Sequence, residues 1–317
     1  MEKVLKLKRN NDQGLTCSSR EARSARRRHL LAALAFLTVS FAVLIGLEAY
    51  RCAHDFVITT YTLRTPKVTE PVTMLMISDL HGSRFGENNV RLIDAARGQE
   101  PDVILCVGDM VTCTDTEKMA QTGIDLLGEM ADIAPVYMSL GNHELEYVDR
   151  HGPDLLHKIT DSGVKLLALE YADIEPNGQH IRIGGTSEYC FNYGLTWEDY
   201  HRHPKYLFLT DFCDTRDFSI LLCHRPTAYY LPSEAESYED WDCDLVLCGH
   251  THGGLWQLPY IGSLYLPQQG FFPKLDLGLK DMGNADMIIG AGLGHEAVLF
   301  RLFDPCELVV IKLVPEA

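Results

Sequence analysis

The chain has 317 residues, of which 46% are hydrophobic and 23% charged, a composition that excludes a disordered polymer, a collagen-like chain and a polytopic membrane protein. The formal net charge is -16, but residues 1–29 hold nine Lys/Arg against three Asp/Glu, so the rest of the chain carries -22. A body this acidic lacks the basic face that phosphate neutralisation needs, so no nucleic acid polymer is expected as a partner. A small anionic substrate remains compatible if a bound cation supplies local positive charge.

The first predicted element is an apolar helix. Leu30 to Leu47 read LLAALAFLTVSFAVLIGL without a charge, and at roughly 1.5 Å per residue such a helix just spans a hydrocarbon core. Arg20, Arg23, Arg26, Arg27 and Arg28 precede it. The positive-inside bias therefore assigns residues 1–29 to a basic cytoplasmic tail, 30–47 to a transmembrane signal anchor, and the body to the extracytoplasmic face of the cell membrane. Two other readings stay open. Glu48-Ala49-Tyr50-Arg51-Cys52 offers no small-residue cleavage site for a signal peptide, whereas Arg27-Arg28-His29-Leu30-Leu31 has the form of a loose twin-arginine signal. Of ten cysteines, Cys106, Cys223 and Cys248 lie inside apolar runs and none forms a C-x-x-C pair, so most are read as packing thiols rather than zinc ligands.

Residues 48–71 are read as a linker and 72–317 as the body. Apolar runs at 73–77, 102–107 and 135–140 alternate with helical spacing at 88–97, 116–131 and 153–162, which indicates βαβ units and a sheet covered on both faces. Strands are expected at 164–169, 180–186, 218–223, 244–248, 254–258, 263–266, 286–290 and 307–313. Residues 190–215 are read as a cap or surface insertion, and 228–242 as a loop with a short helix.

Five of these apolar runs end in metal-capable side chains: Asp79 and His81; Asp109; Asn142 and His143; His224; His250 and His252. Each alone has an ordinary explanation. Asp-x-His and Gly-Asp are common turn chemistry, Asn-His-Glu suits a helix cap, and a lone histidine is usually a satisfied core or surface group. Their joint occurrence at strand ends points to one crevice, because sites in open α/β sheets form beyond the carboxyl ends of the strands. Carboxylate, imidazole and amide oxygen suit Mn, Fe or Zn, and seven such side chains suit two divalent metal ions better than one.

These residues resemble the calcineurin-like metallophosphoesterase superfamily, whose motifs run D-x-H, G-D, G-N-H-D/E, H and G-H-x-H. Here they read Asp79-Leu80-His81, Gly108-Asp109, Gly141-Asn142-His143-Glu144, His224 and Gly249-His250-Thr251-His252. The wording SDLHG, CHRP and GHTHGG behind an apolar segment is most similar to the bacterial membrane-associated branch of YaeI- and YkuE-like phosphodiesterases. Two departures stand out: Leu255-Trp256 directly follow GHTHGG where the branch usually has Gln, and Glu144 stands where Asp is commoner.

The resemblance implies a four-layer α/β/β/α sandwich behind a single N-terminal transmembrane helix. It implies that Asp79, His81 and His252 bind one metal, that Asn142, His224 and His250 bind the second, and that Asp109 bridges them. It further implies hydrolysis of a phosphodiester or pyrophosphate by a metal-bridging hydroxide, with His143 as general acid. Glu144 is expected either to orient His143 or to be a solvated acid at a helix start. Anchoring favours a lipid-linked or cell-envelope substrate. A nucleotide or general phosphomonoesterase, and a membrane-tethered metal-binding scaffold without catalysis, are the alternatives. His54, His151, His157, His180, His201 and His203 are read as surface or linker groups, and His295 as a candidate for the site rim. Trp256, Tyr260, Phe271 and Phe272 are read either as packing between layers or as an apolar lip for an acyl chain or membrane.

Overall fold

A computed structural model of the chain describes residues 2–186, 202–229, 241–267, 269–294 and 300–316. It divides into two compact units, Met1–Glu48 and Ala49–Ala317. Helix α1 (Glu2–His54) contains a stretch within Ser24–His54 of mean hydropathy 2.6, long and apolar enough to cross a membrane and not buried in the fold.

The second unit is built on two six-stranded sheets. The first runs in the order β1 (Phe56–Thr65), β16 (Cys306–Pro315), β2 (Val72–Ile77), β3 (Val103–Cys106), β4 (Val136–Met138) and β5 (Lys165–Leu166). The second runs β14 (Gly278–Asp281), β15 (Asp286–Ile289), β9 (Leu245–Cys248), β8 (Phe218–Leu222), β7 (Ile181–Gly185) and β6 (Glu170–Ile174). Strands β2 to β5 pair parallel, as do β7, β8, β9 and β15, so in each sheet the loops that leave these strands emerge at one edge.

Side-chain alternation along the strands explains the layering. On β2, Met74 and Met76 join Leu105, Ile183, Ile220 and Leu247 in a core shared by both sheets. Leu75 and Ile77 point the other way, onto Leu92 of α2 (Val90–Arg97), Ile124 of α3 (Glu117–Ala131) and Ile159 of α5 (Asp154–Asp161). On the far side, Leu221, Val246 and Met287 pack on Phe208, Leu209 and Phe212 of α6 (Pro204–Cys213). The result is the expected α/β/β/α sandwich, with strands that read as unbroken apolar runs because both faces are covered.

Several elements differ from the sequence reading. Within the stretch read as a linker, Phe56–Thr65 forms β1, paired parallel to β16 over ten residues. Its run FVITTYTLRT is rich in β-branched and aromatic residues, a strand signature masked by proximity to the apolar helix. Helix α4 (Asn142–His151) was not expected as a helix, although the cap reading of its first residues holds: Glu144 reaches back to accept from the Gly141 N–H at 3.0 Å. Strands β6 and β14 are amphipathic edge strands too short and polar to stand out. Two short antiparallel pairings, β10 (Gln257–Leu258) with β11 (Gly262–Ser263) and β12 (Tyr265–Leu266) with β13 (Gly270–Phe271), stand where two longer strands were expected. Much of the expected cap at 190–215, most of 228–242, and His201 and His295 lie outside the described residues. Cys52, Cys106, Cys113, Cys223, Cys243, Cys248 and Cys306 are buried and Cys213 is half-buried, in keeping with packing thiols.

Candidate metal centre

The turns that follow β2, β3 and β9 bend sharply. Asp79, His81, Asp109, His250 and His252 all have positive φ, between 46° and 66°. That region costs a non-glycine residue roughly 1–3 kcal/mol and is concentrated at functional sites. The bends turn these side chains back over the strand ends, into the space where the two sheets meet. Hydrogen bonds hold the turns together within and between the sheets: Asp79 N–H donates to Gly108 O at 2.9 Å within the first sheet, and the His250 N–H donates to Asp79 Oδ1 at 3.0 Å across the two. Glycines make the approach possible. A Cβ at Gly249 would lie 2.3 Å from Asp79 Oδ2, and one at Gly108 would lie 2.3 Å from the Gly141 nitrogen.

The expected side chains converge. His81 Nε2 lies 4.0 Å from Asp79 Oδ1 and 3.9 Å from Asp109 Oδ2. His252 Nε2 is 3.8 Å from Asp79 Oδ1, and His224 Nε2 is 2.9 Å from Asp109 Oδ2. Two groups therefore form, Asp79 with His81 and His252, and Asp109 with His224 and His250. A third combines His81, Asp109 and His143. Asn142 and His250 open onto the same cavity as Asp109 and His143.

The hydrogen bonds fit this cluster to cations. The His224 Nδ1–H donates to Val107 O at 2.6 Å, and the His252 Nδ1–H to Gly294 O at 3.1 Å. Each bond aims Nε2 at the carboxylates, the orientation a metal ligand needs once that nitrogen is unprotonated. In the neutral tautomer His224 Nε2 and Asp109 Oδ2 are two acceptors in contact, so a positive charge must compensate them. His81 Nε2, His224 Nε2 and Asn142 Oδ1 are buried without a hydrogen-bond partner, and each belongs to the expected ligand set.

Electrostatics show the same need for positive charge. Burial lifts the Asp79 carboxyl to about 6. Burial also acts to raise Asp109, but His224, His81 and His143 outweigh it and hold Asp109 below the usual carboxylate range. Burial pushes His81 and His250 down to about 3, so both are neutral. His224 behaves differently: burial lowers it, yet Asp109 and Asp79 together lift it to about 10.

His143 is held by its neighbours in one tautomer. The Cys113 N–H donates to His143 Nδ1 at 3.1 Å, which places the ring proton on Nε2. Its ring sits 4.7 Å from that of His81, edge to face. Glu144 does neither thing expected of it. It is fully buried, and its carboxylate accepts from the N–H groups of Asp109, Met110, Val111 and Gly141 at 2.7–3.2 Å. It thus clamps the turn that carries Asp109 to the start of α4. Glu144 acts on the backbone of the metal-capable turn, not on the imidazole.

Sequence reasoning missed Arg301. This fully buried guanidinium pairs with Asp304 Oδ2 at 3.0 Å and donates to the carbonyls of Ala291 and Gly294. It fixes the carbonyl that orients His252. No local pattern distinguishes it from a surface arginine. His151 and His157 are exposed, and His180 is an exposed partner of Glu175 at 3.4 Å. His203 caps α6 by accepting from the Lys205 N–H at 3.2 Å.

A cavity of 660 Å³ opens beside the cluster. Its lining combines Asp109, Asn142, His143, Glu146, His250 and His252 with an apolar wall that includes Leu255, Trp256, Leu264, Leu266 and Pro267. Trp256 belongs to this wall, its Nε1–H donating to Phe300 O at 3.0 Å, whereas Tyr260, Phe271 and Phe272 are on the surface.

The family model described as calcineurin-like phosphoesterase matches residues 72–254. An uncharacterized metallophosphoesterase of Campylobacter jejuni is 31% identical over 253 residues, covering 78% of this chain and 60% of the relative. The phosphodiesterase YaeI of Escherichia coli is 26% identical over 248 residues, 77% of this chain and 83% of that protein. A zebrafish (Danio rerio) protein described as a transmembrane protein with metallophosphoesterase domain is 26% identical over 262 residues, 79% of this chain and 55% of its own length.

Proposed function

Because the chain belongs to the calcineurin-like phosphoesterase family, a family of metal-dependent phosphoester hydrolases, we propose that it is a membrane-anchored dimetal phosphodiesterase or pyrophosphatase with a lipid-linked substrate. Asp79, His81 and His252 would hold one divalent ion, Asn142, His224 and His250 the other, and Asp109 both. When bound, the two cations supply an acidified water and offset charge on the phosphoryl oxygens. The remaining chemistry is the chain's own. His143 donates from Nε2 to the leaving oxygen, since its Nδ1 is occupied by the Cys113 N–H. Glu144 keeps the Asp109 turn in place, and Arg301 keeps His252 turned inward.

The observation that supports a lipid-linked substrate is the cavity, whose lining joins residues of the metal cluster to the apolar Leu255, Trp256, Leu264, Leu266 and Pro267. The acyl or prenyl chain of such a substrate would lie along Leu255, Trp256 and Leu264, with the phosphoryl group at the ions and the lipid alcohol or lipid phosphate as the leaving group. The apolar N-terminal helix supports anchoring, and the arginines before it support a cytoplasmic tail with the body outside.

The test is to purify the chain, measure bound metals, and assay p-nitrophenyl phosphate, its bis-ester, a nucleotide and a lipid pyrophosphate. Chelator-sensitive hydrolysis with the lipid substrate preferred is expected. Preference for the monoester or the nucleotide would replace the lipid reading, and no hydrolysis with metals bound would establish a scaffold.

A further inference from the structure

We propose that the two hairpins after the metal centre form a second membrane contact, which docks into the interfacial layer of a lipid bilayer and sets the cavity mouth at its surface. This rests on the reading of the chain as membrane-tethered, but not on its catalytic activity.

The surface is unusual in composition. At the tip of β10–β11, Tyr260 is fully exposed and Ile261 is 63% exposed; beside the β12–β13 hairpin, Phe271 is 70% and Phe272 60% exposed. On the second hairpin the rings of Tyr265, Phe271 and Phe272 are contiguous, with centroids 5.1 Å apart for Tyr265–Phe271 and 6.5 Å for Phe271–Phe272. Tyr260 and Phe272 have φ values of 67° and 55°, a conformation that bulky residues rarely adopt. The backbone is thus strained at two exposed aromatic positions, where water offers no compensation.

Charge points to the occupant. Between Asp244 and Asp276 the chain has no carboxylate and only one Lys/Arg, Lys274, although residues 30–317 as a whole carry -22. Asp276 lies against the first hairpin, accepting from the Ser263 N–H at 3.3 Å, but it is buried and paired with Lys280 at 2.8 Å, so residues 257–271 themselves offer a basic protein partner no carboxylate and an acidic one no Lys/Arg. Aromatic and aliphatic tips free of carboxylates match the headgroup boundary of a bilayer, where Tyr, Trp and Phe are favoured. Interfacial insertion of four such side chains is weak alone, but a tethered chain needs little affinity, because tethering raises the effective concentration of the surface. Leu264, Tyr265, Leu266 and Pro267 of the second hairpin also line the cavity. Docking therefore leads an extracted lipid from the bilayer onto the apolar wall without crossing water.

The experiment uses the full chain with Tyr260→Trp, reconstituted in phosphatidylcholine vesicles with or without acyl chains brominated near the headgroup. Emission of the unsubstituted chain, with its own three tryptophans, is subtracted. Most of the added emission should be lost in brominated vesicles, with a blue-shifted maximum in plain ones, and Phe271→Ser with Phe272→Ser should restore it. Added emission that is unquenched and water-like overturns the proposal, whether or not the helix keeps the chain on the vesicle. Flotation measures that anchoring separately. Unquenched but blue-shifted emission, with a dimer in sedimentation, would assign the surface to a second copy and equally overturn it.

Discussion

The backbone N–H of Cys113 points at Nδ1 of His143 across 3.1 Å, and this single bond decides what His143 can do. It blocks Nδ1 as a ligand or base and leaves Nε2–H as a donor. His143→Ala should lower kcat by about 10²–10⁴-fold, the usual loss for a general acid. Steady-state kinetics with metal analysis on the same sample checks this. Wild-type turnover in a metal-replete variant would remove His143 from the reaction.

Glu144 meets four backbone donors with one carboxylate. In Glu144→Gln the amide nitrogen must face N–H groups that need an acceptor. Unfolding in urea should show a loss of about 1–3 kcal/mol, the cost of unsatisfied buried donors. Metal affinity should weaken as well, because the Asp109 turn loses its clamp. An unchanged urea midpoint would mean that the clamp does not matter.

Metal affinity should rise with pH, because ligands must shed protons to bind. Asp79 is lifted by burial to about 6, so without metals it is protonated below that value and loses its proton above it. His224, which Asp109 and Asp79 lift to about 10 against the effect of burial, still carries a proton at neutral pH. His81 and His250, at about 3, are already neutral and release nothing. Affinity for a divalent ion, measured by titration calorimetry, should rise steeply between pH 5 and pH 8. A pH-independent affinity across that range would contradict the assignment of both residues as ligands.

Gly249→Ala tests how closely the two sheets must approach. Its Cβ would fall 2.3 Å from Asp79 Oδ2, so the carboxylate must move or the β9 turn must retreat. Divalent-ion affinity should fall at least about tenfold, equivalent to roughly 1.4 kcal/mol, measured by titration calorimetry. Binding as tight as wild type would show that Asp79 has room to spare.

The layered architecture was legible because its buried strands are continuous apolar runs and its helices have clean spacing. The clustering of Asp79, Asp109, His224 and His250 was legible because parallel strands send the side chains beyond their ends to one edge. What escaped the sequence depends on relations that no local pattern encodes. Glu144 reads as a helix-start acid, and only the approach of the Asp109 turn reveals what it accepts. Arg301 resembles any surface arginine until Ala291, Gly294 and Asp304 close around it. Strand β1 was hidden by the apolar helix before it, and the hairpins at 254–271 look like strands until their short pairings are seen.

Ten residues of β1 run in register alongside β16 directly after the N-terminal helix. Any tension transmitted along the chain from that helix enters the folded body through β1. Pulled along its axis, β1 loads its ladder of backbone bonds together in shear rather than one at a time. The body is therefore attached next to its ten-residue β1–β16 pairing, and a protease freeing it intact would have to cut ahead of Ala49, since Cys52 is buried within it.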